Sequence, residues 1–233
     1  MLLSDAISAF LSHMEAIDRS PMTIMGHSVV LNLFQKYIES VFNGPAYVEE
    51  ITVADIEKYM LSLKTERHNS PGTRSMKLMA IRSLYKFLVK KVVVTHNVAI
   101  EVDVVKVPQK ERCYLSEAEV ETLANSIRHP LVKLIVRFLY FTGLRVRECV
   151  SLTLNDVDLE SKSVNVRFGK GRKQRRIPLS DKIVPLLLDY KNNWRPYTKN
   201  DAFFASKLTG KISPCTINSV LFKAAKDLGW EKP

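Results

Sequence analysis

Apolar residues three and four apart recur through the first hundred positions, and that period confines this stretch to packed helices. Residues 20–42, SPMTIMGHSVVLNLFQKYIESVF, begin with Ser20-Pro21, a cap followed by proline at the first helical position. Val30, Phe34, Tyr37, Ile38 and Val41 then form one apolar face, and Asn43-Gly44-Pro45 ends the helix. An earlier helix is expected over 4–18 with Ser4 as its cap, and a later one from Thr52 with Ile56, Tyr59, Met60 and Leu63 together. A fourth starts at Ser70-Pro71 and turns Ala80, Ile81, Leu84, Phe87 and Leu88 inward. Arg82, Lys86 and Lys90 are expected on its opposite side, as a basic stripe.

The period then breaks. Residues 102–112, VDVVKVPQKER, have no helical spacing and end in charges, so 105–112 reads as a linker between domains at 1–104 and 113–233. Ser116 with Glu119 is a capping box, and PLVKLIVRFLYFTG is an apolar helix stopping at Gly143. From 162 the spacing becomes two: Val164, Val166 and Phe168 alternate with polar residues and the pattern resumes at Ile177 and Leu179. This is a β-hairpin with Gly169 and Gly171 in its turn region. Helices return at 181–191 and 214–228, so the fold class is mainly α with a small β-sheet.

At 233 residues and 46% hydrophobic content the chain can bury two ordinary cores. No apolar run reaches the roughly 18–20 residues of a membrane span. The N-terminus lacks a basic region and carries Asp5 in its apolar stretch, unlike a signal peptide. Cys113, Cys149 and Cys215 show no C-x-x-C spacing, which disfavours disulfides and zinc and suits a reducing cytoplasm. The five histidines have no ligand spacing, so no metal site is expected.

The net charge of +11 calls for a polyanionic partner, and its distribution is more telling than its sum. Eight Lys/Arg between 64 and 91 face a single acid, Glu66. Seven crowd between 162 and 176 with no acid at all, a density that repels itself unless an anion neutralises it. GKGRK is not a phosphate-cradling P-loop, because its lysine is not followed by Ser or Thr. Arg145 sits at the head of a core helix after Thr142-Gly143-Leu144. A guanidinium there needs an anionic partner, either internal (Glu148 or Asp156) or a bound phosphate, and the residues alone leave both open.

Together, TGLRVRECVSLTLNDVDL and GKGRKQRRIPL resemble the tyrosine recombinase (phage integrase) family, whose motifs are T-G-L-R-x-x-E-x-x-x-L-x-x-x-D and G-K-G-x-K-x-R. The Ser-Pro helices resemble the second and fourth helices of that family's SAM-like core-binding domain, and YLSEAEVETL the start of its α+β catalytic domain. The resemblance implies Arg145 and Lys170 as catalytic residues, framed by Glu148, Leu152 and Asp156. It implies duplex-DNA contacts from Thr23, Ser70, Thr73, Arg74, Lys77, Arg82, Lys86, Arg172, Lys173, Arg175 and Arg176. The implied reaction is a transesterification: a tyrosine attacks a phosphodiester, releases a 5′-hydroxyl and leaves a 3′-phosphotyrosine, with no metal or cofactor.

The family also uses an H-x-L-R-H box and a later tyrosine, and no histidine here is followed by arginine at the third position. Tyr190 and Tyr197 are wrongly placed for the nucleophile and read as packing or surface residues. The chain therefore reads as a C-terminally truncated recombinase that binds DNA without cutting it. Family members form tetramers through a C-terminal helix exchange, so a monomer or weak self-association is expected here. A short DNA-binding regulator or competitor at recombination sites is the alternative, and an anionic-membrane binder a third.

Overall fold

The structure, a computed structural model, describes residues 1–109, 114–167 and 174–230. Two compact units divide the chain, Met1–Lys110 and Glu111–Pro233, each with its own apolar core.

The first unit is helical: α1 (Leu3–Ala16), α2 (Pro21–Phe42), α3 (Val53–Thr65), α4 (Pro71–Lys90) and a short α5 (Val98–Glu101). Ser20 and Ser70 cap α2 and α4, each accepting from the backbone N–H of the threonine three residues on. The same Ser-Pro-x-Thr cap returns at Ser213. Ser4 is not a cap. It lies inside α1, whose start is set instead by Leu3 N–H donating to the Ala46 carbonyl and by Leu2 bridging Tyr47. The predicted inward faces of α3 and α4 are buried, whereas on α2 Val41 is exposed and Leu31 is buried in the core with Val30, Phe34 and Ile38. Buried Tyr85 donates its hydroxyl to the Val48 carbonyl at 3.1 Å, tying the loop between α2 and α3 to the core.

The basic stripe on α4 is corrected at Arg82. Its guanidinium donates to the carbonyls of Ala99 (2.9 Å), Ile100 (3.2 Å) and Val102 (2.6 Å). A four-residue helix leaves its carbonyls without helical partners, and Arg82 satisfies three at once. Lys86 and Lys90 alone face solvent. Arg82→Ala is therefore expected to destabilise the first unit by about 2 kcal/mol in denaturant unfolding, since charge-assisted bonds to part-buried carbonyls are lost.

The second unit contains α6 (Glu117–Ser126), α7 (Pro130–Thr142), α8 (Val146–Val150), strands β1 (Val157–Asp158), β2 (Ser163–Val166) and β3 (Arg175–Pro178), then α9 (Val184–Asp189) and α10 (Pro214–Asp227). Ser116 and Glu119 form the capping box of α6. The sheet is antiparallel in the order β1-β2-β3, with Val164 opposite Ile177 and Val166 opposite Arg175. The helix expected over 181–191 starts later and runs on as a π-helical turn over Tyr190–Trp194. Tyr190 is fully buried there, donating its hydroxyl to the Phe203 carbonyl and accepting from Ala205 N–H, while Tyr197 is exposed.

Candidate phosphate-binding site

Gly143 ends α7 in the left-handed region, φ +62°, a conformation that costs glycine nothing. Buried Leu144 anchors the next step, and Arg145 becomes the N-cap of α8 in extended conformation. The burial expected of this arginine belongs instead to its partner. Arg145 is 62% exposed and Glu148 only 5%.

The Glu148 carboxylate accepts four hydrogen bonds. Oε2 takes the Arg145 backbone N–H (2.9 Å) and Arg175 Nη2 (2.8 Å); Oε1 takes Arg145 Nη1 (3.1 Å) and Arg175 Nη1 (3.1 Å). The Arg175 bonds, then those from Arg145, hold the Glu148 carboxyl down at about 2, more than offsetting the burial that raises it. Arg145 spends one N–H on this contact, and its Nε and Nη2 have no partner among the described residues.

Arg175, expected among the cations facing DNA, is the bidentate partner of Glu148 and keeps 38% of its side chain exposed. The ladder explains it: Arg175 shares the inward face of β3 with Ile177, opposite Val166, so its side chain is directed under the sheet. Two-residue alternation counted back from Ile177 is the signal in the sequence that separates it from Arg176.

The rest of the frame is a second buried carboxylate. Asp156 Oδ2 accepts from the Thr153 N–H (2.8 Å) and hydroxyl (2.7 Å), closing a one-turn helix over Leu154–Asp156. Its Oδ1 faces Arg167 Nε at 2.5 Å, an ion pair without an aligned hydrogen bond. Leu152 is buried, and its carbonyl accepts Phe203 N–H. Arg167 is the cation that sequence reasoning missed: nothing in the motif spacing marks it, and only the fold brings it to Asp156.

Lys170, Arg172 and Lys173 lie outside the described residues. Arg176 is exposed, with Nη2 donating to Ser161 Oγ at 2.9 Å. In the first unit Thr23, Ser70 and Thr73 gather at the capped starts of α2 and α4. Arg74 follows within the first turns of α4, its Nε buried and without a hydrogen-bond partner among the described residues. Lys77, expected at the surface, is buried and donates to Asn69 Oδ1 at 2.7 Å; burial, then nearby Arg67, lowers its pKa.

The two units correspond to two known sequence families. Residues 114–233 match the family model described as the phage integrase family, and residues 7–91 match the phage integrase N-terminal SAM-like domain. The chain belongs to the phage integrase family. Among curated relatives, tyrosine recombinase XerC of Halalkalibacterium halodurans is 32% identical over 81% of this chain and 63% of its own length. XerC of Bacillus licheniformis is 34% identical over 89% of this chain and 70% of its own. This integrase-family chain thus spans about two thirds of the length of those relatives. In fold it is similar to a lambda integrase (75–356) dimer bound to a COC′ core site, with a TM-score of 0.80, 14% identity, and coverage of 100% of this chain and 80% of that one. Among the described residues no helix is long and apolar enough to cross a membrane.

Proposed function

We propose that this chain binds duplex DNA in the manner of a site-specific recombinase, with Arg145 gripping a backbone phosphate and Lys170 as the second catalytic group. The supporting observation is the clamp at Glu148: one buried carboxylate holds Arg145 by its backbone and one Nη, leaving Nε and Nη2 presented to solvent. A guanidinium fixed in advance pays no reorganisation when charge develops on the non-bridging oxygens of a phosphorane, a contribution of about 3–4 kcal/mol per donor. The leaving 5′-oxygen needs a proton, which the ammonium of Lys170 supplies in this reading.

Thr23, Ser70, Thr73, Arg74, Lys77 and Lys86, with Arg172, Lys173 and Arg176, are assigned to the phosphate backbone. Lys77 fits this role because a buried ammonium whose neighbour is a neutral amide is relieved by an arriving anion. These 233 residues contain no H-x-L-R-H box, so in this reading they bind without forming the phosphotyrosine. A bound duplex recovered from a randomised pool, remade with a nick beside the protected centre, tests this. The expected result is a complex that denaturing electrophoresis dissociates fully, and binding to duplex in preference to anionic lipid vesicles. A covalent protein–DNA adduct, or preference for vesicles, overturns it.

A further inference from the structure

The hairpin stem carries a second arginine set, like Arg145, against a buried carboxylate. Glu148 and Asp156 are each the third residue of a capped turn and each accepts the backbone N–H three residues back. Both are buried, and each faces an exposed guanidinium. Arg167 makes its shortest contact with Asp156 through Nε; its Nη1 and Nη2 donate no hydrogen bond among the described residues, and 52% of the side chain is accessible. Two-residue alternation puts Arg167 on the side of Asn165, which pairs with Arg176 across the ladder. Arg176 gives only Nη2 to Ser161.

These side chains line a groove of about 530 Å³ together with Val166, Gln174 and Arg175, and no carboxylate lies among the described lining residues. Arg167 and Arg175 each already face a buried carboxylate, so what the groove offers an arriving anion is their remaining N–H donors together with those of exposed Arg176. An arginine with two free Nη groups takes two oxygens of a phosphodiester at once. We propose that this groove seats a second DNA phosphate, with Arg167 as its gripping residue and Asp156 as the positioning residue that aims it. Arg175, which lines this groove, shares the Glu148 carboxylate with Arg145. This rests on the DNA-binding reading above.

Equilibrium binding of the full chain to a fluorescent duplex, measured across a salt series, tests it. Arg167→Gln is expected to reduce the slope of log K against log salt by about one and to weaken binding about tenfold. Arg167→Lys should keep the slope and lose part of the affinity, because ammonium cannot grip two oxygens. Asp156→Asn should also keep the slope while weakening binding, since Arg167 stays charged but is no longer aimed. Thermal melting checks that each variant is folded; if Arg167→Gln is not, the Asp156→Asn/Arg167→Gln double variant removes the orphaned carboxylate and is read in its place. A folded variant lacking Arg167 with wild-type slope and affinity overturns the proposal. If the wild type itself shows no salt-dependent binding to duplex, the DNA-binding reading fails first, and the two failures are distinguishable.

Discussion

Glu148→Ala is expected to cost the second unit about 3 kcal/mol of unfolding free energy at neutral pH, the largest stability effect of any single substitution in the site. The carboxylate takes four hydrogen bonds, two from each of two arginines, and its removal undoes the N-terminal cap of α8 and the tie from α8 to β3 together. The remaining guanidiniums are part exposed and regain water, which keeps the loss at the low end for a broken buried pair. The same carboxylate makes the stability depend on acid. Its folded pKa, about 2, lies below the ordinary 4.5, so its contribution is complete above about pH 4.5 and is lost as pH falls toward 2. That contribution is about 2–3 kcal/mol. Urea unfolding of wild type and Glu148→Gln should therefore give a gap that is wide at pH 6 and closes near pH 2. A gap independent of pH would show that the ion pairs contribute nothing.

Arg145→Ala should leave the fold nearly intact and weaken DNA binding by about 10- to 100-fold, the loss of one charge-assisted, two-pronged contact. Stability moves little because Glu148 keeps its bidentate pair with Arg175 and the backbone N–H at position 145. Arg145→Lys should recover the charge and not the fork, so its affinity should fall between the two. Glu148→Ala should weaken binding as well, by freeing Arg145 to sample other directions, and Glu148 is in this sense a positioning residue.

Much of this was legible in the residues. Helix starts at Thr52, Ser70 and Ser116 and the stop at Gly143 are local chemistry, and local chemistry decided them. The hairpin followed from its two-residue period, and both candidate partners for Arg145 were written in the same motif: Glu148 accepts from it, whereas Asp156 pairs with Arg167. What escaped depends on contacts distant in sequence. Arg82 reads as part of a surface stripe until the short α5 folds beside it and offers bare carbonyls. Lys77 reads as exposed until Asn69 folds back over it. Arg175 and Arg176 differ in the sequence only by their place in the alternation from Ile177, and the register with Val166 and Asn165 makes Arg175 the one that reaches Glu148.

In the proposed mode of binding, the free face of Arg145 meets a DNA phosphate. Its most direct measurement is the salt dependence of duplex binding by wild type and Arg145→Ala, taken side by side. Straight lines of log K against log salt are expected, with the variant weaker and its slope shallower by about one phosphate contact. Parallel lines of equal affinity would contradict it.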